Sequence, residues 1–505
     1  MEPIDIPPGV RQTLAKAPKS NNWRETNLIR WVEGTMFPVG GWEKSTFNIS
    51  FASRVRKIHK WTDNDGVDYV AYLCEGHLYV YYNGSLHDIS PSSPIITPDT
   101  SGSGGYGEGD YGESTYGTPR DTPVPLLSSY AHCWSIGNWG EDLRVMASAD
   151  GRLLGWSPAT PLTVASAVSG APSGRSFVIT PENHIIMFQV GGERAKWGWC
   201  SKQDDSDWNF ADPTNTAGSF DVQPASAIVT GALVGEQTLM FTANGAGFVI
   251  NYRGDPYIYT ATPLNECTPP VSADCICATP DGGMWLSVAG FWSFNGVNSS
   301  PMACEIWDWI SKNADFVLTK FYGAAIKLSS IGEIWFNFVG QGDTLNSFAA
   351  LYNYRDSIWS QAVVSRICGF SYPSDANPLM SDGTRVYRHE IGTDYQDYSL
   401  KPYAETFTIN AVSGTNKVTL RKMFMEVAGD YDALKVAVVK SNRRTANSSD
   451  SVESFSDPKT IRSNGYVDVR ETARDIRIRV EAVSVPTEKW SLGQMLVDVV
   501  QRGSN

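Results

Sequence analysis

One strand-and-turn pattern recurs about every 47 residues along this chain, and it restricts the fold more than any other feature. In its first copy Val55 to Trp61 leads through Asp63-Asn64-Asp65-Gly66 to Val67 to Cys74, then to His77 to Tyr82 and Asn83-Gly84. Four strand-like runs in about forty residues make an antiparallel meander. Further copies start near residues 129, 176, 224, 271, 316 and 367; the sixth reads as strands Val317 to Leu328, Glu333 to Val339 and Phe348 to Tyr354. Asn-Gly and Asp-Gly pairs supply the positive φ angles that two-residue hairpins need. A four-stranded unit of about 40–50 residues, repeated around seven times, is the signature of a β-propeller. The expected fold is therefore all-β, a β-propeller of about seven four-stranded blades, with six or eight as the alternatives.

The first two copies are spaced more widely because residues 91–127 are rich in Gly, Ser, Pro and Thr. That stretch reads as a long surface-loop insertion. After about residue 395 the pattern changes. Val418-Thr419-Leu420, Leu434 to Val439 and Met495 to Val500 read as strands, and Ser441 to Pro458 as a loop. Asp475 to Glu481 alternates, with Ile476, Ile478 and Val480 on one face of a half-buried antiparallel strand. The expected organisation is an N-terminal extended arm over 1–45, the propeller over 46–395 and a β-sandwich-like domain over 396–505. The best helix candidate is Cys304 to Asp315, where Ile306, Trp309 and Ile310 share a face.

Composition narrows the function. Aromatics make up 12% of the 505 residues, charged residues only 19%, and Gly numbers 45, a mix that favours strands and tight turns. The net charge is −13, the reverse of the basic balance with which proteins grip phosphates. Asn442-Arg443-Arg444 is a short basic run. An acidic wall repels DNA, which fits a protein that ignores DNA or one that lets it slide past. The beginning of the chain lacks a basic segment followed by an apolar one, and no stretch approaches 18 apolar residues, so a soluble protein made in the cytoplasm is expected.

The sequence carries little recognisable catalytic chemistry. The eight cysteines, 74, 133, 200, 267, 275, 277, 304 and 368, include no C-x-x-C and read as small buried hydrophobes. Cys275-Ile276-Cys277 is a C-x-C on a strand-like run. Among the histidines 59, 77, 87, 132, 184 and 389 there is no H-E-x-x-H, and the chain has no G-x-S-x-G and no phosphate-binding glycine loop. Gly102, Gly104 and Gly107 fit G-x-G-x-x-G but lie in the low-complexity stretch. His132-Cys133 are strand neighbours whose side chains diverge. Ser148-Ala149-Asp150-Gly151 and Ser381-Asp382-Gly383 faintly echo the Asp-box turns of sialidase-like propellers and read as hairpin turns. Asp204-Asp205-Ser206-Asp207 lacks the glycine and terminal Glu of a calcium loop and reads as a solvated turn. Trp197, Trp199 and Trp208 read as propeller core, with a contact surface as the alternative. No catalytic, cofactor-binding or metal-ligating residue is assigned.

One resemblance remains. Pro7-Pro8-Gly9-Val10, Asn27-Leu28-Ile29-Arg30-Trp31, Gly34 and Pro38-Val39-Gly40-Gly41-Trp42 are similar to segments of the tail nozzle (hub) proteins of short-tailed, podovirus-type bacteriophages. Trp134-Ser135 with Asn138 to Leu143, and Gly235 to Phe241 through Pro256-Tyr257-Ile258-Tyr259, look like further hallmarks, so the resemblance spans roughly residues 5–395. It implies a non-enzymatic structural virion protein without cofactor or metal. Such a protein self-associates into a six-fold ring below the portal adaptor and carries tail spikes or fibres. DNA passes through the ring during ejection without sequence-specific binding, and no stable membrane insertion is implied. The alternatives are a glycan-binding or glycan-hydrolysing propeller tail protein, and a cellular scaffold propeller that binds peptides.

Overall fold

A computed structural model describes residues 1–12, 22–45, 51–97, 133–396, 400–409, 417–441 and 454–501. Most of the 91–127 insertion, Asn442-Arg443-Arg444, most of the 441–458 loop, the three glycines 102, 104 and 107, and His132 lie outside the described residues. Seven four-stranded antiparallel sheets follow one another along the chain, making it an all-β propeller of seven blades. Their first strands, Val55–Thr62, Trp134–Trp139, Ser176–Ile179, Ile228–Val234, Ile276–Thr279, Ala324–Leu328 and Cys368–Phe370, each fall on one sequence repeat. Among the described residues no helix is long and apolar enough to cross a membrane.

The chain divides into two compact units. One comprises 51–302 with 316–324 and holds blades 1 to 5. There the first strands of successive blades lie side by side. His59 of blade 1 meets Asn138 of blade 2 at 2.6 Å, and Trp61 Nε1 donates to the Glu141 carbonyl at 3.2 Å. Between blades the alternate, inward-facing aromatics fill the core. Trp61, Tyr69 and Tyr82 pack on Trp156 from the next blade, and Trp197 and Trp199 pack with Ile228, Phe248 and Tyr259. Trp197, Trp199 and Trp208 are all buried, so they are core and not a contact surface.

The stretch read as one strand from Val317 to Leu328 is instead a helix, α2 (Phe316–Tyr322), followed by the strand Ala324–Leu328. A short apolar run does not distinguish strand from buried helix by its periodicity, and here tertiary contacts choose. Thr319 is fully buried, and Arg56 Nη2 donates to the Phe321 carbonyl at 2.5 Å while its guanidinium lies 4.8 Å from the Tyr322 ring.

The other unit comprises 1–50, 303–315 and 325–505. The helix expected over Cys304 to Asp315 is present as α1 (Trp307–Asn313), flanked by the buried Ile306 and anchored by the buried Ile310. Trp309 is half-buried and packs edge-on against Phe338 and Phe348 of blade 6. Among the described residues, the first 44 positions supply five strands to this unit. β1 (Glu2–Ile4) pairs with Ser491–Gln501, and β2 (Trp23–Asn27) pairs with Tyr403–Thr406. The hairpin β3 (Ile29–Val32) and β4 (Thr35–Pro38) joins the sheet that holds Ser491–Gln501, Val418–Ala428 and Tyr466–Ala473. β5 (Trp42–Lys44) pairs with Val386–His389 and is the fourth strand of blade 7. Two six-stranded sheets form the sandwich-like part. Ile476, Ile478 and Val480 of Asp475–Ala482 are buried on one face as expected. The opposite face is not left to solvent, because Arg477 and Glu405 are buried there as an ion pair at 2.8 Å.

Candidate functional site

The most organised cluster of charged side chains lies where β5 completes blade 7. Gly40 and Gly41 bring the backbone against the segment 390–394. A Cβ on Gly40 would meet Glu390 Cα at 2.8 Å, and one on Gly41 would meet the Asp394 nitrogen at 2.7 Å. Only glycine permits that approach. It lets Gly41 N donate to the Gly392 carbonyl and Trp42 N to the Asp394 carbonyl, at 3.1 and 2.8 Å. Trp42 then lies stacked on His389 with ring centroids 4.8 Å apart, and the Tyr395 hydroxyl donates to the Val39 carbonyl at 2.7 Å.

Beneath this seam Arg30 of β3 reaches two carboxylates. Its Nη1 and Nη2 donate to Glu390 Oε2 and Oε1 at 2.9 and 2.8 Å, a two-pronged contact that suits a planar guanidinium. Nη2 also donates to Glu333 Oε2 at 3.0 Å, and Nε lies 3.0 Å from Glu333 Oε1. Glu333 begins the second strand of blade 6, Glu333–Val339, and accepts a further bond from Trp335 Nε1 at 3.3 Å. Burial alone would lower the Arg30 pKa, but Glu333 and then Glu390 outweigh it, and the pKa is raised. Burial raises the Glu333 pKa and Arg30 only partly reverses that.

A second arginine completes the cluster. Arg366 has no solvent exposure; its guanidinium lies 4.6 Å from the Trp42 ring and 4.8 Å from the Tyr387 ring. Its Nε donates to His389 Nε2 at 2.9 Å, so that nitrogen carries a lone pair and the imidazole proton sits on Nδ1. Burial, followed by the Arg366 and Arg30 charges, holds the His389 pKa well below its usual value, so the ring is neutral. Arg30 holds both glutamates directly, and Arg366 lies against the neutral histidine. Both carboxylates are occupied by Arg30, and Glu333 is 2% exposed. This geometry suits a clamp that joins the arm to blades 6 and 7, because breaking any buried pair leaves an uncompensated charge.

Arg30, Gly40, Gly41 and Trp42 belong to motifs singled out in the sequence; Glu333, Glu390, Arg366 and His389 do not. The available signal for them was an ionisable residue inside an apolar strand, as in Glu333 before Ile334-Trp335-Phe336. Buried charges of that kind need partners, but nothing local identifies the partner.

The other candidates fall apart in space or serve turns. Asp150 accepts from Ile96 N at 2.8 Å and from Arg152 Nε at 2.6 Å; burial opposes its charge, but these bonds prevail and its pKa is lowered. Asp382 accepts from Thr384 N, Arg385 N and the Tyr387 hydroxyl, the chemistry of a hairpin turn. In the 204–207 segment Asp204 caps Ser206 N at 3.0 Å, Asp205 pairs with Arg144 at 2.6 Å and Asp207 binds Asn215 at 2.9 Å. Their carboxylates therefore do not converge. Among the described residues no group of three His, Cys, Asp or Glu side chains is placed to hold a metal ion. All eight cysteines are free thiols, and burial pushes Cys133, Cys200, Cys267 and Cys304 up to about 12.

No family model matches the chain, and no curated protein matches it in sequence. Solved structures with some similarity include virginiamycin B lyase from Staphylococcus aureus, at 10% identity and a TM-score of 0.40, covering 68% of this chain and 97% of that one. YCF48 bound to D1 peptide has 10% identity and a TM-score of 0.37, covering 72% and 99%. PorZ, a surface component of the type-IX secretion system of Porphyromonas gingivalis, has 9% identity and a TM-score of 0.36, covering 76% and 45%. The propeller assignment rests on the seven sheets themselves.

Proposed function

We propose that the chain is a structural, non-catalytic subunit of the tail nozzle, or hub, of a short-tailed bacteriophage. In this reading it is made in the host cytoplasm and assembles into the virion as a six-fold ring below the portal adaptor. The ring carries tail spikes or fibres and conducts DNA during ejection. The observation that carries the reading is the convergence of Arg30, Gly40, Gly41 and Trp42, residues through which the chain resembles that family, on one buried clamp. A subunit that transmits load between a portal and a spike requires its blades to be locked, and a clamp of paired charges supplies that.

Charge supports the DNA-conducting role. The first hairpin turns of blades 1 to 5 carry Asp63, Asp65, Glu141, Glu182, Glu236 and Asp281, and none of these is in an ion pair. A passing duplex meets repulsion there instead of the counterion release that makes DNA stick.

The test is negative-stain imaging of the purified protein, alone and mixed with its portal–adaptor complex. Six-fold rings docked on the adaptor are expected. A monomer that ignores the adaptor would sink the reading. One observation favours a second reading, a glycan-binding propeller. Phe220, 52% exposed, lies over Trp197 and Trp199, while Tyr257 at the tip of a blade 4 turn is 72% exposed. Retention on a glycan array, lost in Phe220→Ala, would promote it.

A further inference from the structure

The five arm strands are not equally fixed. Trp23 of β2, Ile29 and Trp31 of β3, Met36 of β4 and Trp42 of β5 are buried. Removing any of these strands would open a core. β1 differs: Glu2 and Pro3 are exposed and Ile4 is only half-buried. It is held by three residue pairs, Glu2↔Val497, Pro3↔Leu496 and Ile4↔Met495, along one edge of the eleven-residue strand Ser491–Gln501. Asp5 to Pro8 make no hydrogen bond, and the next fixed backbone contact is Val10 N to the Trp359 carbonyl at 2.9 Å. Pro7-Pro8 within that spacer favours an extended, stiff chain over one that folds back. The strand, its proline spacer and its acceptor edge together make an element that can leave without disturbing the core.

Resting on the ring reading above, we propose that in the assembled ring β1 leaves its own chain and pairs with the Ser491–Gln501 edge of the adjacent copy, lacing each subunit to the next. Exchange of an identical element between copies preserves every hydrogen bond of the closed form. In a free chain the intramolecular pairing wins, because the tether holds β1 beside its own edge at an effective concentration on the order of millimolar. In a closed ring the neighbour's edge is also held nearby, and that advantage disappears. Residues 5–9 at about 3.3–3.6 Å each span roughly 17 Å, so the acceptor edge must lie within that distance of Val10 in the donating copy. Because the transfer runs head to tail, it suits a heterologous interface, in which each copy both gives and receives one strand.

Cysteines at Pro3 and Leu496 test this. Directly opposed strand residues have Cα atoms about 4.5–5.5 Å apart, within the range a disulfide needs. The P3C/L496C protein, alone and assembled on the portal–adaptor complex, is oxidised mildly and run on a denaturing, non-reducing gel. E2C/V497C provides an independent pair should the first variant not fold, and the single-cysteine variants control for the native thiols. Exchange predicts an internally bridged monomer from the free protein and a ladder of covalent multimers from the assembled ring, lost with either cysteine alone. Rings seen by imaging whose chains still run as bridged monomers would overturn the exchange and leave the nozzle reading standing. An absence of rings on the adaptor would overturn both.

Discussion

Arg30→Met removes the one cation shared by Glu333 and Glu390. Methionine approximates the stem of the side chain, so the change is chiefly one of charge. Two carboxylates then face each other in a buried site. Breaking a buried ion pair by deleting one partner costs about 3–5 kcal/mol. The unit that contains blades 6 and 7 falls in the size class where 1 kcal/mol shifts the midpoint by about 2–4 °C, so a drop of roughly 6–20 °C is expected. Differential scanning calorimetry of the intact protein should read that drop. The deficit should also depend on pH. Without Arg30, burial holds the carboxyl pKa of Glu333 further above its unfolded value. A group of that kind contributes stability below its unfolded pKa and loses it as pH rises through the folded one. The variant should therefore be least impaired near pH 5 and most impaired near pH 8. Arg30→Met combined with Glu333→Gln and Glu390→Gln removes the two carboxylate charges that Arg30 neutralised and should recover most of the loss. A midpoint shift under 2 °C for Arg30→Met, or a deficit that does not vary with pH, would refute the clamp.

Three further outcomes follow from the same geometry. Gly41→Ala should cost about 1–3 kcal/mol by urea unfolding, since a Cβ would press on backbone atoms of Asp394 that cannot withdraw. His389 has a folded pKa held well below its unfolded value, so it contributes stability above about pH 6.5 that is lost as pH falls; His389→Gln should flatten the stability–pH profile between pH 5 and 7. With four thiols pushed up to about 12 by burial, the folded protein should react slowly with Ellman's reagent at pH 8, whereas the unfolded chain should release all eight equivalents.

The propeller was legible in the sequence because its determinants are local. Each blade declares itself through alternating apolar residues and Gly-containing turns within about 45 residues, and a hairpin such as Asp281-Gly282 needs no distant partner to specify it. The burial of Trp197, Trp199 and Trp208 was likewise the expected result of inward-facing aromatics. The segment 316–322 was not legible, because its run of Phe, Val, Leu and Tyr suits a strand as well as a buried helix, and contacts from Arg56, distant in the chain, accompany the helical form.

The clamp lies at the far end of that scale. Nothing in Trp42-Glu43-Lys44 says that it will be the fourth strand of a blade whose other three begin at residue 368, because strand pairing carries no local signature of its partner. Arg30 invites a search for a carboxylate, but the chain has 54 acidic residues, and only the approach of blades 6 and 7 selects Glu333 and Glu390. By itself the sequence determined the repeating unit, about seven occurrences of it with six or eight as alternatives, and the all-β class, since each depends on periodicity and turn chemistry over short stretches. The tertiary structure alone decided where the arm strands go and that Arg30 meets Glu333 and Glu390, since those contacts join residues more than 300 positions apart.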